Sequence, residues 1–176
     1  MRILTFKGFL KSYVQSLAGT NTTSIRKLAM VAQTQNPRLC HALALYAFAD
    51  NKIDQLAKAT CKDSALNKAV QQLNHYSWLE LENALAQDDS HVQAEYQKVY
   101  RSYLSVRDRH KSDNHTKSLM HKKITDLKMQ KTVSNYRIYT TLGLNPGNAN
   151  AFLKNADTSK LSLDTARKIL AYLTAL

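Results

Sequence analysis

The residues best placed to do chemistry lie between positions 145 and 160. The run Asn145-Pro146-Gly147-Asn148-Ala149-Asn150-Ala151-Phe152-Leu153-Lys154 opens with an asparagine that can cap a helix and a proline suited to its first position. With helical spacing, Ala149 and Phe152 point to one side, with Leu153 beside them. The other side displays Gly147, Asn148, Asn150, Ala151 and Lys154. These side chains are short and neutral, apart from one terminal lysine. Such a flank packs poorly against a protein interior but suits the edges of bases in a groove. An asparagine can pair bidentately with adenine N6 and N7. Lys154, the capping Asn145 and nearby backbone N–H groups can meet phosphates, as can Arg137 before the run and Lys160 after it.

Other reactive residues form no convincing constellation. Cys40-His41 and Cys61 lack the paired spacing of a zinc site, and Cys40 falls in an apolar stretch that suits a core. The remaining histidines, His75, His91, His110, His115 and His121, are scattered; the last three sit in basic sequence, where they could bind phosphate weakly, although a solvated role is the preferred reading. Glu80 and Glu82 are two apart, so on a helix they diverge. Asp88 and Asp89 mark a helix end. There is no P-loop, nucleophile elbow or dinucleotide fingerprint. The expectation is a protein that is not an enzyme and uses no metal or cofactor.

These residues need a scaffold, and the sequence points to helices. Of 176 residues only four are glycine and two proline, which favours uninterrupted helices over a turn-rich β fold. Ile3, Phe6, Leu10, Tyr13, Val14 and Leu17 recur at helical spacing, with Gly19 as a stop. Thr23 or Ser24 can cap a second helix. Asn36-Pro37 opens a third, and a short one follows around Ile53 and Leu56. Asp63 can cap the next. Residues 76–87 continue as helix with Trp78, Leu79, Leu81 and Leu85 near one face. Ser90 begins another, carrying Val92, Tyr96, Val99, Tyr100, Tyr103 and Leu104. That aromatic stripe could stack single-stranded bases or form a dimer interface, but core packing is the preferred reading. Residues 107–115 (RDRHKSDNH) are almost free of apolar side chains and read as a polar hinge or an exposed helix end between two units. Beyond it, Leu119, Met120, Ile124 and Leu127 face inward on a helix over residues 116–131. Ser134 caps a short helix through Ile138 and Leu142. Gly143 and Leu144 make a tight turn into the asparagine-rich helix. Ser162 caps a final helix through Leu163, Ala166, Ile169, Leu170 and Leu173.

The fold class is therefore all-α: an N-terminal helical bundle or stack of helical hairpins (residues 1–106), the hinge (107–115) and a small C-terminal helix-turn-helix bundle (116–176). The net charge is +12, distributed as +6 over residues 1–60, −1 over 61–110 and +7 over 111–176. Two basic ends around a neutral middle suit a polyanion, most often nucleic acid. The first residues, MRILTFKGFLKSYVQ, interleave lysines with apolar residues and read as mature protein packed into the body. Membrane-surface binding is the lesser reading. No run approaches the roughly 18 apolar residues of a membrane span. Two cysteines are too few for a disulfide framework, so a cytoplasmic protein with reduced thiols is expected.

Residues from about 124 to 173 resemble a helix-turn-helix domain of the Cro/phage-repressor type. The matching positions are Ile138 and Leu142 on the first helix, Gly143 and Leu144 in the turn, and Ala149 and Phe152 on the second. The segment Ser162-Leu163-Asp164-Thr165-Ala166-Arg167-Lys168-Ile169-Leu170 is similar to the family's closing helix. Tyr139 and Asn155 depart from the family's alanine and glycine, although asparagine tolerates the left-handed conformation. The resemblance implies that Pro146 to Lys154 is a recognition helix docking in the major groove of double-stranded DNA, commonly as a homodimer. The expected function is sequence-specific transcriptional repression, including control of the protein's own operon. The alternative is a phage or mobile-element protein of the anti-defence (anti-CRISPR) type. Its helical body would bind and inhibit a protein or ribonucleoprotein while its head binds DNA.

Overall fold

The computed structural model describes residues 4–33 and 36–176. Ile3, part of the first expected apolar stripe, lies outside the described residues. Among the described residues every regular element is an α-helix: α1 (Phe6–Ala18), α2 (Ile25–Gln33), α3 (Pro37–Ala49), α4 (Ile53–Ala59), α5 (Ala65–Gln72), α6 (Trp78–Ala86), α7 (Ala94–Gln130), α8 (Asn135–Thr141), α9 (Pro146–Asn155) and α10 (Leu163–Ala175). The chain divides into two compact units, a body, Leu4–Val106, and a head, Arg107–Leu176.

The body is organised around α3. Its sequence PRLCHALALYAFA is apolar on nearly every side, and it buries Leu39, Cys40, Leu43, Leu45 and Tyr46 together with three alanines. A helix hydrophobic all round must be central, and α1, α2, α4 and α5 all pack against it. Asn36 caps α3 through Oδ1 to the Arg38 N–H at 2.9 Å, with Pro37 at the first position as expected. Gly19, at φ 65°, ends α1. Ser24 rather than Thr23 serves α2, accepting from the Lys27 N–H at 3.5 Å.

The aromatic stripe is core. Tyr96, Tyr100 and Tyr103 are buried, and the Phe6 ring stacks on Trp78 at 5.7 Å and meets Tyr100 edge-on at 5.0 Å. The Tyr96 hydroxyl donates to the Ala69 carbonyl, and burial pushes its pKa well above the ordinary tyrosine range. Neither base stacking nor a dimer seam can use these buried rings.

Several expectations require correction. Ser64, not Asp63, caps α5, because its Oγ accepts from the Asn67 N–H at 3.1 Å. Leu79 is exposed rather than buried, as the α6 core face is carried by Leu81 and Leu85. Ser90 lies in a turn, and the next helix starts at Ala94. Residues 107–115 are helical: α7 runs through them without a break. The segment is polar, but it contains neither glycine nor proline, and polar side chains alone do not end a helix. The boundary between the units falls at its start, between Val106 and Arg107. Leu119 is also exposed, so Met120, Ile124 and Leu127 alone carry the inward stripe of α7 in the head.

The head closes on a core of Ile124, Val133, Ile138, Ala149, Phe152, Leu153, Ala166, Ile169 and Leu173. Ser134 and Ser162 cap α8 and α10 as their sequences indicate. Lys117, 8% exposed, sends its ammonium inward to the carbonyls of Thr158 (2.5 Å) and Leu161 (3.1 Å). These bonds tie the loop between α9 and α10 to α7. A buried ammonium needs such acceptors.

Candidate nucleic-acid interface

The turn between α8 and α9 places the asparagine-rich helix. Leu142 closes α8, and Gly143 follows at φ 62°, a conformation that costs a side-chain-bearing residue free energy. The Leu144 N–H then bonds the Tyr139 carbonyl at 2.8 Å, and Leu144 tucks against the head core. Asn145 caps α9 through Oδ1 to the Asn148 N–H at 3.0 Å, and Pro146 takes the first position. At Gly147 a Cβ would stand 3.3 Å from Asn145 Oδ1, a tight contact that the cap side chain would have to ease.

α9 turns Ala149, Phe152 and Leu153 into the core, packed against α8. The His121 ring meets Phe152 edge-on at 5.3 Å and approaches the Leu153 carbonyl at 3.3 Å. The opposite flank is open along most of its length. Asn145, Pro146, Gly147, Asn148 and Lys154 are exposed, while Asn150 and Ala151 are half-buried. Arg137 is exposed on the first turn of α8, and Lys160 is exposed in the loop that Lys117 anchors. The left-handed residue after α9 is Ala156 at φ 55°, one position later than Asn155, which remains the last helical residue.

Two residues that sequence reasoning did not single out reach this flank. Lys128 of α7 donates to Asn135 Oδ1 at the start of α8, and Asn135 Nδ2 donates to Asn150 Oδ1 at 3.2 Å. Asn150 is therefore partly committed within the head, unlike Asn148. Burial, and then the charge of Lys154, lower the Lys128 pKa. The Lys128–Asn135–Asn150 line joins three helices, and only their crossing reveals it.

The other reactive residues are dispersed. Cys40 is buried, its thiol donating to the Ala32 carbonyl at 3.3 Å, and burial raises its pKa. Cys61 is exposed beside Gln33. His41 bonds the Pro37 carbonyl at 2.7 Å through Nδ1. Among the described residues no cluster of His, Cys, Asp or Glu could hold a metal ion, and no helix is long and apolar enough to cross a membrane.

Fold and site together define an all-α protein in which a small basic unit presents one short, polar helix flank. Comparison with protein-family models, curated proteins and solved structures gives no match to this chain.

Proposed function

We propose that the head binds double-stranded DNA sequence-specifically, with α9 in the major groove, and that the protein is a transcriptional repressor that includes its own operon among its targets. The observation that carries this reading is the division of α9. One side is locked into the core by Ala149, Phe152 and Leu153, and the other leaves Gly147, Asn148 and Lys154 open to solvent. Glycine and alanine let the helix backbone approach a groove floor, and asparagine reads base edges. Charge supports the same reading. Residues 107–176 carry thirteen basic and five acidic side chains (+8), against eleven and eight (+3) over residues 4–106. Arg137, Lys154 and Lys160 hold phosphates, and the body provides the homodimer contact that spaces two half-sites.

The test is a gel shift of the full chain against the DNA upstream of its own coding sequence, at two salt concentrations. A discrete complex that resists competitor DNA and weakens steeply with salt is expected. Binding that any competitor removes equally would contradict sequence reading. Copurification of a protein or ribonucleoprotein with the chain, without a specific DNA site, would favour the inhibitor alternative.

A further inference from the structure

Three side chains from three helices form a directed line beneath the α9 flank. Lys128 Nζ donates to Asn135 Oδ1, and Asn135 Nδ2 donates to Asn150 Oδ1 at 3.2 Å. An ammonium carries donors only, so it can bond Asn135 only at its carbonyl oxygen. The Asn135 amide nitrogen must then face Asn150, and Asn150 must answer with its oxygen. The lysine at the root thus fixes the orientation of both amides. Because an amide is planar, its nitrogen diverges from its oxygen, and Asn150 Nδ2 has no partner among the described residues. Asn150 is half-buried and belongs to the flank that displays Asn148 and Lys154.

The geometry points to Lys128 and Asn135 as positioning residues that decide which base edge Asn150 selects. With its oxygen engaged, position 150 offers the duplex a donor. It therefore selects adjacent acceptors, guanine N7 and O6, over adenine, which sets its N6 donor beside the N7 acceptor. The inference rests on the DNA-binding reading above and sharpens it. It also makes a reversal possible. Asn135→Asp keeps an acceptor for Lys128 but removes the amide nitrogen. A carboxylate can only accept, so Asn150 turns over, gives it Nδ2 and shows Oδ1 outward. Position 150 then selects a donor edge, cytosine N4 or adenine N6. Lys128→Met leaves both amides in place but removes what directs them, so the preference relaxes.

Two measurements on the full chain test this. Side-chain amide exchange, followed by NMR in the free protein, should show Asn135 protected and Asn150 exchanging freely. In Asn135→Asp, Asn150 should become protected. An Asn150 amide that behaves alike in both proteins overturns the directed line. Selection from a randomised duplex pool should then enrich guanine at one position for the unaltered protein. That position should change to cytosine or adenine for Asn135→Asp, with a preference shift of about tenfold and the other positions unchanged. Lys128→Met should flatten that position alone. Reversed amides with the same selected base overturn the specificity role while leaving DNA binding intact. Amides as expected but no enriched sequence for any of the proteins overturn the DNA-binding reading, and this inference with it.

Discussion

Asn148 and Lys154 are exposed on one short helix, yet their expected roles differ. A neutral amide discriminates between bases, whereas an ammonium answers to the charge of every phosphate alike. Lys154→Ala should therefore weaken binding to all sequences by similar factors and lower the salt slope by about 1, measured by anisotropy titrations over a range of salt. A loss confined to one sequence would place Lys154 on a base instead. The asparagines, the capping role of Asn145 and the buried trio Ala149, Phe152 and Leu153 were all legible in the sequence, because each follows from helical spacing and cap chemistry within ten residues. Asn135 and Lys128 were not. Their bonds depend on how α7, α8 and α9 cross, and no local pattern encodes that crossing.

At the scale of elements, the head depends on how its turn and loop are held. Gly143 is left-handed with open space where a Cβ would stand, so Gly143→Ala meets backbone strain alone. A loss of about 1–2 kcal/mol in unfolding free energy is expected by chemical denaturation. No loss would mean that the turn relaxes without cost. Lys117→Met should destabilise the head by about 1.5–3 kcal/mol through the loss of two charge-assisted bonds, and should raise amide exchange at Thr158 to Leu161. Unchanged exchange would show that the loop is held by other means.

In the body, Asp50 joins Lys7 of α1 to Lys52 beyond α3 at 2.9 and 2.8 Å. The hydrogen bond from Lys52, then that from Lys7, pull its pKa down to about 2. A lowered folded value stabilises above the ordinary carboxylate range, and that contribution fades as pH falls toward 2. Asp50→Asn should therefore be less stable than the unaltered protein at neutral pH, and the gap should close in acid. A gap independent of pH would contradict the ion-pair origin.

Most elements could be read from their caps and apolar spacing. The polar stretch 107–115 could not, because a run with nothing to bury carries no periodicity, and α7 passes through it as helix. The exposure of Leu79 and Leu119 is not encoded locally for a related reason. Each lies at the edge of an apolar stripe, where only the neighbouring helices decide what is covered.

Taken as a whole, the molecule joins a moderately basic helical body to a more strongly basic head of 70 residues, +3 against +8. All-α class was legible from the scarcity of glycine and proline, and the sequence showed basic charge at both ends, but only the unit boundary at Arg107 sets +3 against +8. The proposed DNA binding should therefore respond to salt mainly through the head. The proposed DNA reading rests on the open flank of α9, on which Asn148 is exposed. The most direct measurement is the affinity of Asn148→Ala for a set of duplexes in which each position of the selected site is changed in turn. A loss of about 1–3 kcal/mol that disappears when one particular base pair is substituted is the predicted result. An equal loss on every duplex, or no loss on any, would contradict it.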